Sequence, residues 1–599
     1  MMRLGRYALL IAALAALCLS SCDRPLPREF AEFTPFVYEA PSPEPAAGCY
    51  RNPVLPGFYP DPSVCRVGDD YWMVNSTFGY FPGIPVWHST DLIHWEQCGS
   101  ILESNDSFFV GNNNLIVGTF APQISYNPAN GLYYVICTFV GGYRNFFVSS
   151  PDPAGGQWSE PVTLPEVPGI DPSILFDSDG RAWIAGACGL DAIGETKLYG
   201  QDNAIVLFEF DWKNGCTVGP RRVIARHGVH PEDQPAALEG PHIYHIGDKY
   251  FLMCAEGGTE AGHSEVVFVA DAVTGPYKPC AVNPILTQRD LPAEGEDFVN
   301  CTGHADLVQS AAGQWYAVFL GCQPYEGDHS FNTGRQTFLL PVQWVDGQPI
   351  ILPAGERVPL DVPMNDDLAA LSAASKIRGF NGYRPGPLWS AEEGLAGFTL
   401  FIRNPVAGVL EDGMSPKENF VFGESRFRGP FWEIDGKGLL RLTPKAVSVR
   451  SMGNPAAVVQ RITAKTFIAS TTLRFEPVAD SLGRVSRAGI MCFQGENDHM
   501  VFAKTLDSRG HTILRLEEVR GGKMKACHER RLTQSEAAKA LTLRVEAVTA
   551  VDYVFSYSTD GKHFTQVGVP LDGRSLRSPD FWGFEGAVTG IFASFEKDQ

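Results

Sequence analysis

The stretch Asp61-Pro62-Ser63-Val64 is the first of five related copies that recur between residues 61 and 307. About ten residues after each copy comes an aromatic and aliphatic run typical of a buried strand, such as Tyr71-Trp72-Met73-Val74. Successive copies lie 60, 50, 69 and 64 residues apart. A repeat of this length that is built from strands and turns predicts the blades of a β-propeller. The other copies are Ala121-Pro122-Gln123-Ile124, Asp171-Pro172-Ser173-Ile174, Gly240-Pro241-His242-Ile243 and His304-Ala305-Asp306-Leu307.

An acid begins or directly precedes three of the five copies, and the repeat predicts that these acids meet. Equivalent positions in successive blades converge near the propeller axis, so Asp61, Asp171 and Glu239 should line one pocket. Asp-Pro and Glu-Gly-Pro also form ordinary turns where strands begin. Recurrence on three blades nevertheless favours a site, because neighbouring carboxyl groups can hold the different protonation states that a general acid and a general base need.

The composition describes a folded, acidic protein of more than one domain. The chain has 599 residues, of which 44% are hydrophobic and 11% aromatic, so a disordered chain is excluded. Its formal net charge of −20 argues against nucleic acid or an anionic membrane surface as partner, since both attract basic patches. A neutral ligand such as a carbohydrate is compatible with this charge. The 14 cysteines show no CxxC pair or metal-type spacing, which favours buried free thiols.

The N-terminus carries the features of an export signal. Two arginines precede the apolar run Ala8–Leu19, which is too short to span a bilayer as a helix but suits a signal peptide. The run ends in Leu19-Ser20-Ser21-Cys22, which resembles a bacterial lipobox. The resemblance implies cleavage before Cys22 and a lipid on its thiol, hence an exported lipoprotein of the cell envelope that meets the membrane only through this anchor. A plain secretory signal is the alternative.

Strand patterns divide the rest of the chain. No long helical period interrupts the five copies, and a second region of regular strands follows them. There Leu541, Leu543, Val545 and Ala547 alternate with polar residues, as in a half-buried strand of a β-sandwich. The predicted fold class is all-β, a five-bladed propeller followed by a C-terminal β-sandwich. The predicted boundaries are 1–21 for a lipoprotein signal peptide, 22–48 for a tether, 49–355 for the propeller, 356–390 for a connector and 391–599 for the sandwich.

Five motifs in order make residues 50–355 resemble glycoside hydrolase family 43, the five-bladed β-xylosidases and α-L-arabinofuranosidases. Residues 390–599 resemble the concanavalin-like β-sandwich of the β-xylosidase branch, where it contributes a loop that helps close the active site. The resemblance implies a glycosidase that hydrolyses O-glycosyl bonds. The motifs are Asn52-Pro53-Val54-Leu55-Pro56-Gly57-Phe58-Tyr59-Pro60-Asp61-Pro62-Ser63, Gly169-Ile170-Asp171-Pro172-Ser173, Leu238-Glu239-Gly240-Pro241-His242, Thr302-Gly303-His304-Ala305-Asp306 and Gly334-Arg335-Gln336-Thr337-Phe338.

The resemblance also implies a role for each acid. Asp61 would be the general base that activates water, and Glu239 would be the general acid. Asp171 would orient Glu239 and keep its pKa high. The family inverts anomeric configuration, so no covalent intermediate is expected and roughly 6.5–9.5 Å should separate the acid and base carboxyl groups.

Four neighbours would complete the substrate site in the same interpretation. Arg335 could hydrogen-bond sugar hydroxyls, or form a strand-end salt bridge. His304 could contact the sugar, a central water or a Ca²⁺ ion, or be an ordinary buried histidine. Phe78 and Phe120 could wall the pocket against a sugar ring, or simply pack in the core. The chemistry requires no cofactor.

Three departures from the family pattern bear on the sugar, and one of them is Phe120, which stands where Trp or Tyr is common. Gly79 stands where many β-xylosidases have an acid, and Gln336 replaces the usual acid after Arg335. The leading hypothesis is an exo-acting enzyme that releases terminal xylose from β-1,4-xylo-oligosaccharides. The alternative is an α-L-arabinofuranosidase that acts on arabinoxylan or arabinan side chains. A non-catalytic sugar-binding lipoprotein is disfavoured, because it would not need to keep Asp61 and Glu239.

Overall fold

The computed structural model describes residues 25–104, 115, 117–142, 144–295, 297–325, 330–377, 387–403, 421–423, 426–576 and 585–597. The predicted signal peptide, with Cys22, lies outside the described residues. Described residues between 43 and 384 form one compact unit, here called the propeller unit. Those of 25–42, 387–576 and 586–597 form a second, here called the sandwich unit.

Strands of the propeller unit, within its described residues, form five antiparallel blades. The first strands of blades 1 to 5 contact one another in sequence, and that of blade 5 contacts that of blade 1, so the ring is closed. The prediction of a five-bladed propeller is confirmed. The strands are Ser63–Val67, Asp70–Val74, Gly83–Ser89 and Glu96–Leu102 in blade 1; Gly118–Asn127, Leu132–Val140, Arg144–Ser150 and Val162–Thr163 in blade 2; Ile170–Phe176, Ala182–Gly189, Asn203–Asp211 and Cys216–Arg226 in blade 3; Glu239–Ile246, Lys249–Glu256, Ser264–Ala270, Lys278–Pro279 and Leu286–Thr287 in blade 4; and Asn300–Gln309, Trp315–Cys322 and Gln336–Pro341 in blade 5.

The N-terminal segment of the propeller closes the ring on blade 5. Leu55 and Thr337 exchange two backbone hydrogen bonds of 3.2 Å, beside the third strand of that blade. Asn52 clamps the same strand, because its side chain donates to the Leu339 carbonyl and accepts from the Leu339 amide, both at 2.9 Å. Sequence-distant ends of the unit are thus joined by buried polar contacts.

The predicted connector is ordered where the structure describes it. Asp361–Pro363 pairs with Cys49–Arg51, and a helix at Asp366–Ala374 follows, capped by the Asn365 side chain. The remaining short elements of the propeller unit are the strand pair Gln343–Val345 and Gln348–Ile350 and the 3-10 helices Pro153–Gly155, Leu190–Ile193 and Pro231–Asp233.

Two antiparallel sheets form the sandwich unit. Their facing sides are apolar, and the rings of Phe502 and Phe555 meet between them at 5.8 Å. The nine-stranded sheet holds, in described residues, Trp432–Ile434, Leu440–Leu442, Ala31–Phe33, Phe467–Arg474, Leu541–Ala547, Asp552–Ser558 and Thr565–Gln566 in this order, with Val37–Glu39 beside Phe467–Arg474 and Leu571–Asp572 beside Asp552–Ser558. The six-stranded sheet holds Ala456–Arg461, Val588–Lys597, Arg484–Gly495, Asp498–Leu506, Thr512–Arg520 and Lys523–Arg531. Outside the sheets lie the strand pair Trp389–Ser390 and Gly394–Leu395, the helix Gln534–Ala537 and the 3-10 helix Gly573–Leu576.

The predicted tether over residues 22–48 is wrong in its middle part. Ala31–Phe33 and Val37–Glu39 are strands of the nine-stranded sheet. Phe33, Phe36 and Tyr38 are buried there. The segment is rich in Pro and Glu, and its strand pairing depends on partners more than 400 residues away, which a local pattern does not reveal.

Other sequence predictions for the fold hold. Leu541–Ala547 is a strand with alternating burial, as its pattern predicts. The twelve cysteines from Cys49 onward are free thiols as predicted, but only six of them are buried. Among the described residues, we find no helix with the length and apolar character needed to cross a bilayer.

Substitution of Asn52 by Ala should weaken the propeller unit. It removes both side-chain contacts to Leu339 and leaves the buried Leu339 amide without its acceptor, although the Tyr50 hydroxyl still donates to the carbonyl at 2.7 Å. We expect a loss of about 1–3 kcal/mol in the free energy of unfolding, measured by denaturant titration. Asn214→Ala, in an exposed turn, is the matched control and should change stability by less than about 0.5 kcal/mol. Equal denaturation midpoints for the two variants would contradict the clamp.

Candidate active site

A left-handed residue marks the same place on every first strand. The φ angles are 51° at Asp61, 41° at Ala121, 54° at Asp171, 57° at Gly240 and 52° at His304. In blades 2 to 5 the strand pairing shifts register at this point, which is the mark of a β-bulge. A bulge bends the strand and redirects the side chain beside it. The five copies therefore present their first residues at the propeller axis.

The bulge explains why four of the five copies have proline as their second residue. Pro has no backbone N–H, and the bulged residue is the one that needs no partner in the strand ladder. Blade 5 has Ala305 instead, and its amide donates to the buried Glu265 carboxyl group at 2.9 Å. Burial raises the pKa of Glu265 well above its usual value. The amide of Ala305 in the fifth copy therefore needs an acceptor. Glu265 supplies it, and the repeat pattern did not reveal this residue.

Asp61 is held as an ionised carboxylate. The Ser76 hydroxyl donates to its Oδ2 at 2.6 Å, and Arg335 Nη1 donates to its Oδ1 at 3.2 Å. Burial alone would raise the pKa of Asp61, but Arg335, His304 and the Ser76 hydroxyl outweigh that effect and lower it. Ser76 is itself oriented, because its oxygen accepts from the Ala121 amide at 2.7 Å.

Glu239 has the opposite protonation preference. It is half-buried, and it lies one residue before the left-handed position that Asp61 and Asp171 occupy in their blades. Burial first, and then the negative charge of Asp61, raise the pKa of Glu239 to about 7, while Arg335 opposes them. Glu239 can therefore carry a proton near neutral pH while Asp61 does not.

Asp171 lies between these two acids in the electrostatic network. Its Oδ2 accepts from the Gly240 amide at 3.2 Å, so it holds the residue next to Glu239. Its own amide donates to the Thr138 hydroxyl at 3.1 Å. Burial raises the pKa of Asp171 well above its usual value, and the charges of Glu239 and Asp61 add to this. The structure brings all three predicted acids into one network.

Arg335 and His304 complete the polar side of the pocket. Arg335 is 4% exposed and donates from the same Nη1 to Asp61 and to the Thr259 hydroxyl, the latter at 2.9 Å. His304 Nδ1 lies 3.9 Å from Asp61 Oδ1, and burial lowers the pKa of His304 to about 4, so its ring is neutral at neutral pH. The ring lies against Gly240, where an added Cβ would come within 3.0 Å of it.

The two predicted wall residues pack against each other. The rings of Phe78 and Phe120 meet edge to face with centroids 5.0 Å apart. The guanidinium carbon of Arg335 lies 5.6 Å from the centre of the Phe78 ring. Phe78 is buried and Phe120 is partly exposed, so only Phe120 offers a ring edge to solvent.

The substitution at Gln336 has a structural role. Gln336 is buried, accepts from the Gly57 amide at 3.1 Å and donates to the Gln323 side chain at 2.9 Å. It therefore braces the segment that leads to Asp61.

Sequence reasoning missed several residues that shape the site. Ser76 and Thr259 contact Asp61 and Arg335 directly, and Thr138 supports Asp171. His263 lies buried against Gly303 and donates from Nδ1 to the Cys301 carbonyl at 2.9 Å. These residues lie outside the repeated copies, so no sequence signal pointed to them. Within the described ranges, no group of three or more His, Cys, Asp or Glu side chains is arranged to hold a metal ion, at His304 or elsewhere.

Comparison with known proteins identifies both halves of the chain. The family description "Glycosyl hydrolases family 43" matches residues 50–349. The description "Beta xylosidase C-terminal Concanavalin A-like domain" matches residues 416–599.

Curated relatives and solved structures agree with this. A xylosidase/arabinosidase of Butyrivibrio fibrisolvens is 33% identical over 91% of this chain and 95% of its own length. A non-reducing end α-L-arabinofuranosidase of Bacteroides ovatus is 30% identical over 91% of each chain. The crystal structure of a GH43_12 protein from a capybara gut metagenome is 32% identical, with a TM-score of 0.78 over 94% of this chain and 99% of its own.

A xylan β-1,4-xylosidase of Bacillus halodurans, also solved, is 25% identical, with a TM-score of 0.74 over 91% of this chain and 96% of its own. The matched domains span most of the sequence, and the predicted acids lie within the first of them. The chain is a glycosidase and belongs to glycoside hydrolase family 43, with the concanavalin-like C-terminal domain of its β-xylosidases.

Proposed function

We propose that the enzyme is an exo-acting, inverting hydrolase that releases terminal xylose from β-1,4-xylo-oligosaccharides. The observation that carries the mechanism is the split in pKa between Asp61, which is lowered, and Glu239, which is raised to about 7. Between these two values one carboxyl group is ionised and the other can donate a proton, which glycoside hydrolysis requires. Two relatives whose names include β-xylosidase or β-1,4-xylosidase support the sugar.

Each acid has one task in this proposal. Asp61 accepts a proton from the attacking water, and its contacts to Ser76 and Arg335 keep it ionised and oriented. Glu239 donates its proton to the leaving glycosidic oxygen as the bond breaks. Asp171 acts through its bond to the Gly240 amide, which positions Glu239, and through its burial beside that acid.

Other side chains would bind the terminal sugar. Arg335 offers a buried planar guanidinium to hydroxyl oxygens, and the neutral His304 ring can exchange hydrogen bonds without adding charge. Phe120 supplies the apolar edge, backed by Phe78. No step of this mechanism calls for a cofactor.

The names of two relatives support a different sugar as the released product. The Bacteroides ovatus relative is named an α-L-arabinofuranosidase and the Butyrivibrio relative a xylosidase/arabinosidase. The same three acids can serve either sugar, so release of terminal α-L-arabinofuranose is the alternative function.

Substitution of Glu239 by Gln should remove the proton donor and keep the pocket's shape. On xylobiose, whose leaving group needs protonation, we expect kcat to fall by about 10²–10⁴-fold. On 2,4-dinitrophenyl xyloside, whose leaving group departs unprotonated, the fall should be much smaller. Glu232→Gln, on the exposed turn before this strand, is the matched control and should retain full activity. Unchanged turnover of xylobiose by Glu239→Gln would remove this residue as the acid.

The pH dependence of kcat/KM should report both acids. Activity should decline as pH rises through about 7, because Glu239 loses the proton that it must donate. The acidic limb should lie below the ordinary range of an aspartate, because the pKa of Asp61 is lowered. Ser76→Ala removes one of the groups that lower it, so this limb should move to higher pH while the basic limb stays. Ser159→Ala, at an exposed position of blade 2, should move neither limb. An unmoved acidic limb in Ser76→Ala would contradict the assignment of Asp61.

A panel of aryl β-xylosides and aryl α-L-arabinofuranosides decides between the two sugars. We expect kcat/KM to be at least about tenfold higher for the xylosides. The reverse ratio would establish the arabinofuranosidase alternative. Proton NMR of the first-formed sugar in the same reactions should show the inverted anomer, and a retained anomer would overturn Asp61 as a base that activates water.

A further inference from the structure

The sandwich unit contains a cavity of about 410 Å³ whose lining belongs to that unit alone. This volume falls within the range of about 300–1,000 Å³ that is common for small-molecule sites. Its residues come from five neighbouring strands of the six-stranded sheet, from Asp507 and Ser508 just after one of these strands, and from Arg450. The proposed catalytic acids all lie in the propeller unit, and none of them lines this cavity.

Strand register places the cavity on the side of the six-stranded sheet that faces away from the sandwich core. Ala503 pairs with Arg515, and Arg515 pairs with Glu529, so these residues share one face. Arg487 shares it too, because it lies two residues before Gly489, which pairs with Ala503. Phe502 points to the other face, where its ring meets Phe555 of the nine-stranded sheet.

Buried ion pairs form the floor of the cavity. Arg487 is 6% exposed and donates to Glu517 at 2.7 Å and to Glu596 at 3.3 Å. Arg515, which is only half-buried, donates to the exposed Glu529 at 2.9 Å, so this pair is not part of the buried network. Replacing such buried pairs by well-packed apolar residues is often neutral or stabilising in proteins, so stability alone does not account for them.

One donor on this floor has no acceptor among the residues that the structure describes. The Nε of Arg487 is buried and meets no hydrogen-bond acceptor in the described part of the chain. A buried N–H of a charged group is costly to leave unsatisfied. Since Arg487 lines the cavity, a ligand or a water held there can supply the missing oxygen.

The charges around the cavity balance. Arg450, Arg487, Arg515 and Lys597 oppose Asp507, Glu517, Glu529 and Glu596. A lining of this kind favours neither an anion nor a cation, but it offers both donors and acceptors to a neutral molecule that has many hydroxyl groups. Met524 and Cys527 add apolar surface beside them.

We infer that this cavity is a second, non-catalytic binding site for a neutral oligosaccharide. Its guanidinium and carboxylate groups bind vicinal hydroxyls, in which each hydroxyl both donates and accepts. The inference does not depend on which sugar the catalytic pocket releases. A bound chain on the sandwich unit would keep substrate at the enzyme between cleavage events.

Calorimetric titration of the full chain tests the site. The Glu239→Gln background prevents hydrolysis, and xylohexaose and α-1,5-arabinohexaose are the probes. We expect two molecules of at least one probe to bind per chain. Cys527→Trp, which adds an indole to the cavity at an exposed position and leaves every ion pair intact, should abolish one site or weaken it by more than about tenfold. Arg487→Met should act alike where circular dichroism shows an intact fold.

Cys216→Trp is the matched control, since Cys216 is likewise an exposed strand cysteine but lies in blade 3 of the propeller unit. It should leave both sites unchanged. A single binding site for both probes in the Glu239→Gln parent, or two sites that survive Cys527→Trp, would overturn the inference. A second site that accepts only a glucuronate-bearing xylo-oligosaccharide would also overturn it, because the ligand would then be an anion.

Discussion

The site depends on one backbone constraint, which is the left-handed residue that begins each of the five repeated copies. Left-handed backbone is unfavourable for residues other than glycine, asparagine and aspartate, yet all five blades adopt it. Two of the five positions are aspartates, which tolerate this conformation, and one is glycine. The accompanying bulge leaves a residue that needs no ladder bond, so proline can follow at no cost in hydrogen bonding. The same kink that interrupts the strand brings the acids to the axis.

Three carboxyl groups lie close together in the pocket, and the pocket shifts their pKa values in different directions. Three buried negative charges would repel one another, so burial and repulsion raise the pKa of Asp171 and Glu239. The guanidinium of Arg335 and the hydroxyl of Ser76 both touch Asp61, which therefore keeps its charge. One base and one proton donor arise from chemically similar groups because Arg335 and Ser76 bond directly to Asp61, whereas burial and repulsion outweigh Arg335 at Glu239.

The sandwich unit shows the opposite use of buried charge. Arg487 meets two glutamates on a sheet face that turns away from the apolar core. In the propeller unit a single arginine tunes three acids. On the sandwich unit paired charges cancel, which suits recognition of a neutral molecule better than proton transfer.

The repeated copies by themselves determined the all-β class, the five blades and the identity of the three acids. They could do so because each copy marks the same backbone conformation in its own blade. The fifth copy also located His304, whereas Arg335 was predicted from the resemblance of its motif to the family. Only the tertiary structure decided what each acid touches: Ser76, Thr259 and Glu265 carry no pattern, and they matter because folding brings them against Asp61, Arg335 and Ala305. The same holds for Ala31–Phe33, which is a strand only because a partner more than 400 residues away accepts it. Local periodicity sets the conformation of a segment, whereas pKa values and strand partners depend on distances that exist only after the chain has folded.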